Sequence, residues 1–175
     1  MTTENLGRAV IRQPIATPEQ MHEFGIKLAR VLEPGDLVVL TGPLGAGKTT
    51  LTRGVGEALG CIGTVSSPTF VIARTHKREV SDVPLVHVDA YRLKLSEELD
   101  DLGIDYPNSI VLIEWGRGLT DGLADSWLDI EIERDHTGES EIRQVTVWAN
   151  GDRWANLSAA ALAVGVGAAG PGEVG

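Results

Sequence analysis

The 175-residue sequence predicts an α/β fold with a largely parallel central sheet flanked by helices and an antiparallel edge hairpin. Three observations predict it. Short apolar runs alternate with helical patterns through the first half of the chain, as they do where parallel strands are joined by crossover helices. The run Leu37-Val38-Val39-Leu40 is apolar throughout and bounded by turn residues, which suits a strand covered on both faces. The last two strand-like runs, Leu128 to Ile132 and Val145 to Trp148, flank a polar turn around Asp135 to Glu139 and read as a hairpin.

Taken in order, the first element is a helix. Thr17 suits the N-cap, Pro18 the first helical position, and Gln20 can reach back to complete a capping box. Met21, Phe24, Leu28, Val31 and Leu32 recur at helical spacing, and Glu33-Pro34-Gly35-Asp36 stops the helix. After the apolar strand come a glycine-rich turn and a second helix, with Leu51, Val55, Ala58 and Leu59 on one face and Gly60 at the C-terminal cap position. Thr69 to Ala73, Leu85 to Val88 and Ile110 to Ile113 read as further strands, and Ser96 to Leu102 as a short helix. Residues 1–155 form one domain, and the Ala/Gly-rich stretch 156–175 is expected to be a mobile tail.

Net charge is −10 and the pI is about 4.8, which excludes an extended direct grip on nucleic-acid backbones but not a local basic pocket. The single cysteine, Cys61, forms no disulfide within the chain and reads as a buried structural thiol. The polar N-terminus lacks a signal-peptide pattern, and no apolar run approaches the ~20 residues of a membrane span. A cytoplasmic location is expected.

Gly42-Pro43-Leu44-Gly45-Ala46-Gly47-Lys48-Thr49 matches G-x-x-x-x-G-K-[ST] in full. The glycines let the backbone wrap so that successive N–H groups face phosphate oxygens, and the following helix adds its free N-terminal donors and dipole. Lys48 brings a mobile charge to the β- and γ-phosphates, and the Thr49 hydroxyl can ligate Mg²⁺. An apolar strand before the loop and an amphipathic helix after it favour this reading over a chance glycine-rich turn. The fold class thereby narrows to a P-loop NTPase type, binding a nucleoside triphosphate with magnesium through Gly42, Leu44, Gly45, Ala46, Gly47, Lys48, Thr49 and the adjoining Thr50.

Magnesium in such a site needs a carboxylate from a neighbouring strand end. Asp89 ends the run from Leu85 and Glu114 the run from Ile110. Each can hold the ion, directly or through water, or orient the attacking water, and spacing does not divide those roles. Ser66-Ser67-Pro68-Thr69 has the composition of an ordinary turn, although its hydroxyls could also sense a γ-phosphate. Arg92 can contact phosphate or pair with Glu97 or Glu98. His22, His76, His87 and His136 lack metal-ligand spacing, and Trp115 reads as a core or rim residue that could cover a ligand.

The string from Gly42 to Thr50 resembles the signature of the TsaE family, ATPases of bacterial tRNA threonylcarbamoyladenosine (t6A) synthesis. The resemblance extends, in order, to Ser67-Pro68-Thr69, to His87-Val88-Asp89-Ala90-Tyr91-Arg92, to Glu97-Glu98-Leu99 with Gly103-Ile104, and to Glu114-Trp115. It implies that Thr49 and Glu114 hold Mg²⁺, that Asp89 and Lys48 serve hydrolysis, and that Ser67 to Thr69 form a nucleotide-sensing switch. It also implies that Thr17 approaches the adenine. The implied partners are TsaD and TsaB, with tRNA met only through that complex, and an ATP cycle that resets the complex without performing the transfer. Pro43 departs from the family, which commonly has an acidic residue there; it removes one N–H donor just before the inner cradle.

Three rival functions differ in what they require. A GTPase needs an Asn-Lys-x-Asp string, which is absent. A small-molecule kinase needs an acceptor pocket and usually an arginine-bearing lid, and the arginines are dispersed. A non-hydrolysing scaffold is disfavoured by Thr49, Asp89 and Glu114. Slow ATP hydrolysis made useful by partners is the expectation.

Overall fold

The computed structural model describes residues 7–63, 65, 72–120 and 122–165. Seven strands form one sheet in the order β1-β7-β6-β2-β5-β4-β3: β1 Arg8–Ile15, β2 Leu37–Thr41, β3 Ala73–His76, β4 Leu85–Asp89, β5 Ile110–Glu114, β6 Trp127–Arg134 and β7 Arg143–Asn150. The four central strands β4, β5, β2 and β6 run parallel, whereas β3 pairs with β4, and β7 with both β6 and β1, in antiparallel fashion. The parallel part is therefore the middle of the sheet, and both margins are antiparallel.

The β6–β7 hairpin forms as the sequence predicts, but it is not the edge: β1 pairs along the outer side of β7. Two features hid β1 from a pattern reading. Its register shifts between Ala9 and Ile11, which breaks the period of two, and it contains Pro14, which belongs on an edge strand but argues against a central one. Of the strand expected over Thr69 to Ala73, residues 69–71 lie outside the described residues; the described ladder begins at Ala73 and runs through the polar Arg74-Thr75-His76.

Helices α1 (Pro18–Ala29) and α2 (Lys48–Ala58) cover one face. Their apolar sides, with Met21, Phe24, Leu28, Leu51 and Val55, pack on Val38, Leu40, Leu112, Ile130 and Val147. The two helices approach closely through glycine: a Cβ on Gly25 would lie 2.1 Å from the Leu51 carbonyl oxygen, and one on Gly54 2.1 Å from that of His22. The N-terminus of α1 is capped as expected at Thr17, whose Oγ1 accepts from the Gln20 N–H at 3.1 Å, but Gln20 Oε1 reaches Ala16 N–H at 2.8 Å, one residue earlier than a capping box.

The opposite face is covered differently. Leu37, Val86, Val88, Val111 and Ile113 are buried there by the five-residue helix α3 (Ser96–Asp100), through Leu99, and by loop residues including Ile104, Leu119 and Leu123. "Flanked by helices" thus describes one face fully and the other only in part.

The first part of the expected mobile tail is packed. Residues Ala159–Leu162 form α4, Leu162 and Val164 are buried in the main core, and Gln13 bonds both the N–H and the carbonyl of Val164. Lys27 Nζ also donates to the Ala163 carbonyl. Apolar Leu and Val among the alanines supply an anchor that composition averaging concealed. No helix among the described residues is long and apolar enough to cross a membrane.

Candidate functional site

β2 ends at Thr41, and the chain turns through the glycine-rich loop directly into α2. Gly45 (φ 76°) and Gly47 (φ 113°) occupy the left-handed region, which a residue with a Cβ adopts only under strain. Gly47 is the N-cap of α2 and carries no capping side chain, and no acidic residue lies in the first turn. The N-terminal N–H groups of an eleven-residue helix are therefore left without a competing side-chain acceptor, an arrangement suited to an anion.

Register brings the two carboxylates to this loop. Asp89 pairs with Glu114 across the parallel β4–β5 ladder, and Glu114 pairs with Leu40 across β2–β5. Both therefore emerge at the end of the sheet from which the loop springs. One cleft is lined by Leu44, Gly45, Ala46, Gly47, Lys48, Thr49, Thr50, Asp89, Glu114 and Trp115. Gly42 is not part of this lining but borders a neighbouring cavity with Thr41, Pro43 and Trp115, and the buried Lys48 ammonium donates to the Gly42 and Pro43 carbonyls. Thr17 lies apart from the carboxylates, in an adjoining cavity with Met21, Gly45, Gly47, Thr50 and Arg143. Thr69, with Ser66, Ser67 and Pro68, falls outside the described residues.

The electrostatics of the cleft centre on Lys48. Burial pushes its ammonium below the ordinary lysine range, while Glu114 and Asp89 pull it back up. Its Nζ sits 4.3 Å from the centroid of the Trp115 ring, a cation–π contact inside a partly closed site. Trp115 is the sole described non-glycine residue with positive φ (62°); its N–H donates to Leu40 O at 2.9 Å, and its ring meets Tyr91 edge-on at 5.4 Å. A bulky residue in the left-handed region beside a cleft marks strain held by its surroundings. Asp89 Oδ1 accepts from the Tyr91 N–H at 3.0 Å, which fixes the turn after β4.

Two contacts here were not readable in advance. His87, fully buried on β4, places Nε2 2.7 Å from Glu114 Oε2. Arg134, at the end of β6, donates from Nη1 to the Leu44 carbonyl at 3.4 Å and so braces the loop from outside. The string containing His87 was visible, but the contact needs the β4–β5 register, and Arg134 lies 90 residues from Leu44. Arg92 is exposed, and Glu98 accepts from the N–H groups of Lys94 and Leu95 at the start of α3.

The donor set fits a hard divalent cation. Thr49, Asp89 and Glu114 offer oxygen ligands, as magnesium requires. Among the described residues no group of three or more His, Cys, Asp or Glu could hold a metal alone.

The model of the family described as threonylcarbamoyl adenosine biosynthesis protein TsaE matches residues 15–144. The chain belongs to the TsaE family. It is 49% identical, over 148 residues, to the tRNA threonylcarbamoyladenosine biosynthesis protein TsaE of Streptomyces coelicolor, covering 82% of this chain and 99% of that one. The TsaE protein of Bacillus subtilis is 38% identical over 143 residues, or 80% of this chain and 86% of that one. The crystal structure of Bacillus subtilis YdiB superposes with a TM-score of 0.66 at 30% identity, covering 82% of this chain and 88% of that chain. The mixed α/β sheet is thus shared with a solved structure, and the TsaE match spans the loop, both carboxylates and His87.

Proposed function

We propose that this chain is a P-loop ATPase that binds ATP with Mg²⁺ and hydrolyses it slowly in support of tRNA t6A modification. The observation that carries the reading is the single cleft in which Gly45 to Thr50 face Asp89 and Glu114. The loop amides and the α2 N-terminus take the phosphates, and Lys48 exchanges its carbonyl partners for phosphate oxygens. Thr49 and Glu114 hold Mg²⁺, which supplies charge neutralisation of the phosphates. Asp89 orients the attacking water. Thr17, beside Gly47 and Thr50, approaches the adenine, and Thr69 belongs to a switch that senses the γ-phosphate.

The family's role in t6A synthesis, carried in the names of its members, supports the wider reading. The chain acts with TsaD- and TsaB-type proteins, meets tRNA only through them, works in the cytoplasm, and uses its ATP cycle to reset the complex. A net charge of −10 accords with indirect tRNA contact.

The test is hydrolysis of ATP by the purified chain with magnesium, alone and with TsaD and TsaB, followed by the same assay on Asp89→Ala. Slow release of phosphate to water, raised by the partners and lost in the variant, is expected. Hydrolysis unaffected by Asp89→Ala contradicts the role of that carboxylate, and transfer of phosphate to a small metabolite would favour a kinase.

A further inference from the structure

We propose that His87 is a positioning residue for magnesium: its Nε2–H fixes Glu114 in the rotamer that presents the carboxylate to the cleft. This inference rests on the reading of Glu114 as a magnesium ligand and adds a residue to it. His87 lies on β4 with its side chain fully buried, and Glu114 ends β5 with only a few per cent of its side chain exposed. The two are diagonal neighbours on one face, since His87 pairs with Leu112 and Asp89 with Glu114. A carboxylate at this depth needs a donor, and the 2.7 Å contact from Nε2 to Oε2 supplies it.

The proposal also fixes the tautomer. A Glu114 that ligates magnesium is ionised and its Oε2 can only accept, so on this proposal the proton sits on Nε2. Nδ1 has no hydrogen-bond partner among the described residues, so the contact to Glu114 is the ring's one described hydrogen bond. With Oε2 engaged, the Glu114 side chain loses the freedom to swing toward Lys48, whose ammonium shares the cleft and is drawn to the same carboxylate. A donor behind a ligating carboxylate typically changes metal affinity by about 10–100-fold. Removing it should therefore weaken magnesium more than nucleotide.

Two substitutions separate positioning from packing. His87→Gln carries its amide nitrogen at the distance of Nε2 and can still donate to Glu114; His87→Asn carries one only at the distance of Nδ1 and cannot. Both remove the ring from the same buried place. The affinity of the imido analogue of ATP is measured with magnesium chloride and again with EDTA. His87→Asn is expected to lose at least ~10-fold of the magnesium-dependent gain while its EDTA affinity stays near that of the unsubstituted protein, and His87→Gln to keep most of the gain. Equal behaviour of the two variants overturns the proposal. If the unsubstituted protein binds the analogue no better with magnesium, the ligand role of Glu114 fails and the proposal with it; if Lys48→Ala binds as tightly as the unsubstituted protein, the nucleotide reading itself fails.

A second measurement needs no variant to fold. Nitrogen NMR on histidine-labelled, metal-free protein should show a proton on Nε2 of His87. A ring protonated at Nδ1 alone would contradict the proposal.

Discussion

One wall of the cleft, Gly45 to Thr50, is a continuous segment running from a strand into a helix; the facing wall sets Asp89 and Glu114, from two different strands, beside Trp115 in the turn after β5. The first wall needs only local rules: glycine at positive φ, an uncapped helix start, a lysine one residue into the helix. The second exists only when β2, β4 and β5 are in register and His87 stands behind Glu114. The difference predicts separate tasks for them. On the proposed function, the wall of backbone amides and one ammonium would supply affinity for phosphate, and the wall of carboxylates metal and water placement. Variants on the two walls should accordingly fail in different assays.

The largest effect is expected at the carboxylate wall in turnover. Asp89→Ala and Glu114→Ala should each lower ATP hydrolysis by about 100-fold or more, in the range of losing one preorganised catalytic group, while affinity for ADP in EDTA changes little. A parallel loss of EDTA affinity would show that the walls do not divide the work.

Next comes the support beneath the loop wall. Gly54→Val places atoms against the His22 carbonyl, where backbone cannot yield, and should cost about 3 kcal/mol by urea unfolding while pushing α2 from α1. Nucleotide affinity should fall with it, because α2 carries Lys48 and Thr49. Retained affinity in a destabilised protein would mean that the loop holds its shape without that helix contact.

Leu162→Ala sharpens the contrast from outside the cleft. Leu162 is fully buried on α4, so its truncation should cost about 2–3 kcal/mol and lower Tm, with hydrolysis per folded molecule unchanged. A change in nucleotide affinity would tie the C-terminal segment to the site.

The smallest effect is a pH dependence. His76 lies one strand over from His87, and its imidazole pKa is held below the ordinary 6.5 by burial first, then by His87 and Arg74. The unfolded chain therefore takes up a proton that the folded chain refuses as pH falls below about 6.5, so this residue erodes stability on the acid side. His76→Gln should flatten the stability profile below pH 6.5 and leave it unchanged above; an identical acid slope in the variant would remove His76 from the account.

Legibility followed the range of the interactions involved. Strand β2, the loop and α2 were readable because their residues are contiguous and their hydrophobic spacing is regular. Asp89 and Glu114 were readable as strand-end carboxylates, but only register made them neighbours. Strand β1 was hidden by a bulge and Pro14, and the docking of α4 by an alanine-rich composition. His87 looked like a scattered histidine until β4 and β5 were paired, since its partner lies 27 residues away. Arg134 could not be placed near Leu44 without the β6 position beside β2.

The central claim is that the loop wall captures polyphosphate through its amides and one ammonium. Calorimetric titration of ATP with magnesium into the unsubstituted protein and Lys48→Ala tests it most directly. The account predicts measurable binding that drops by at least ~100-fold in the variant, with hydrolysis lost. Equal heats and equal affinity in the two proteins would contradict it.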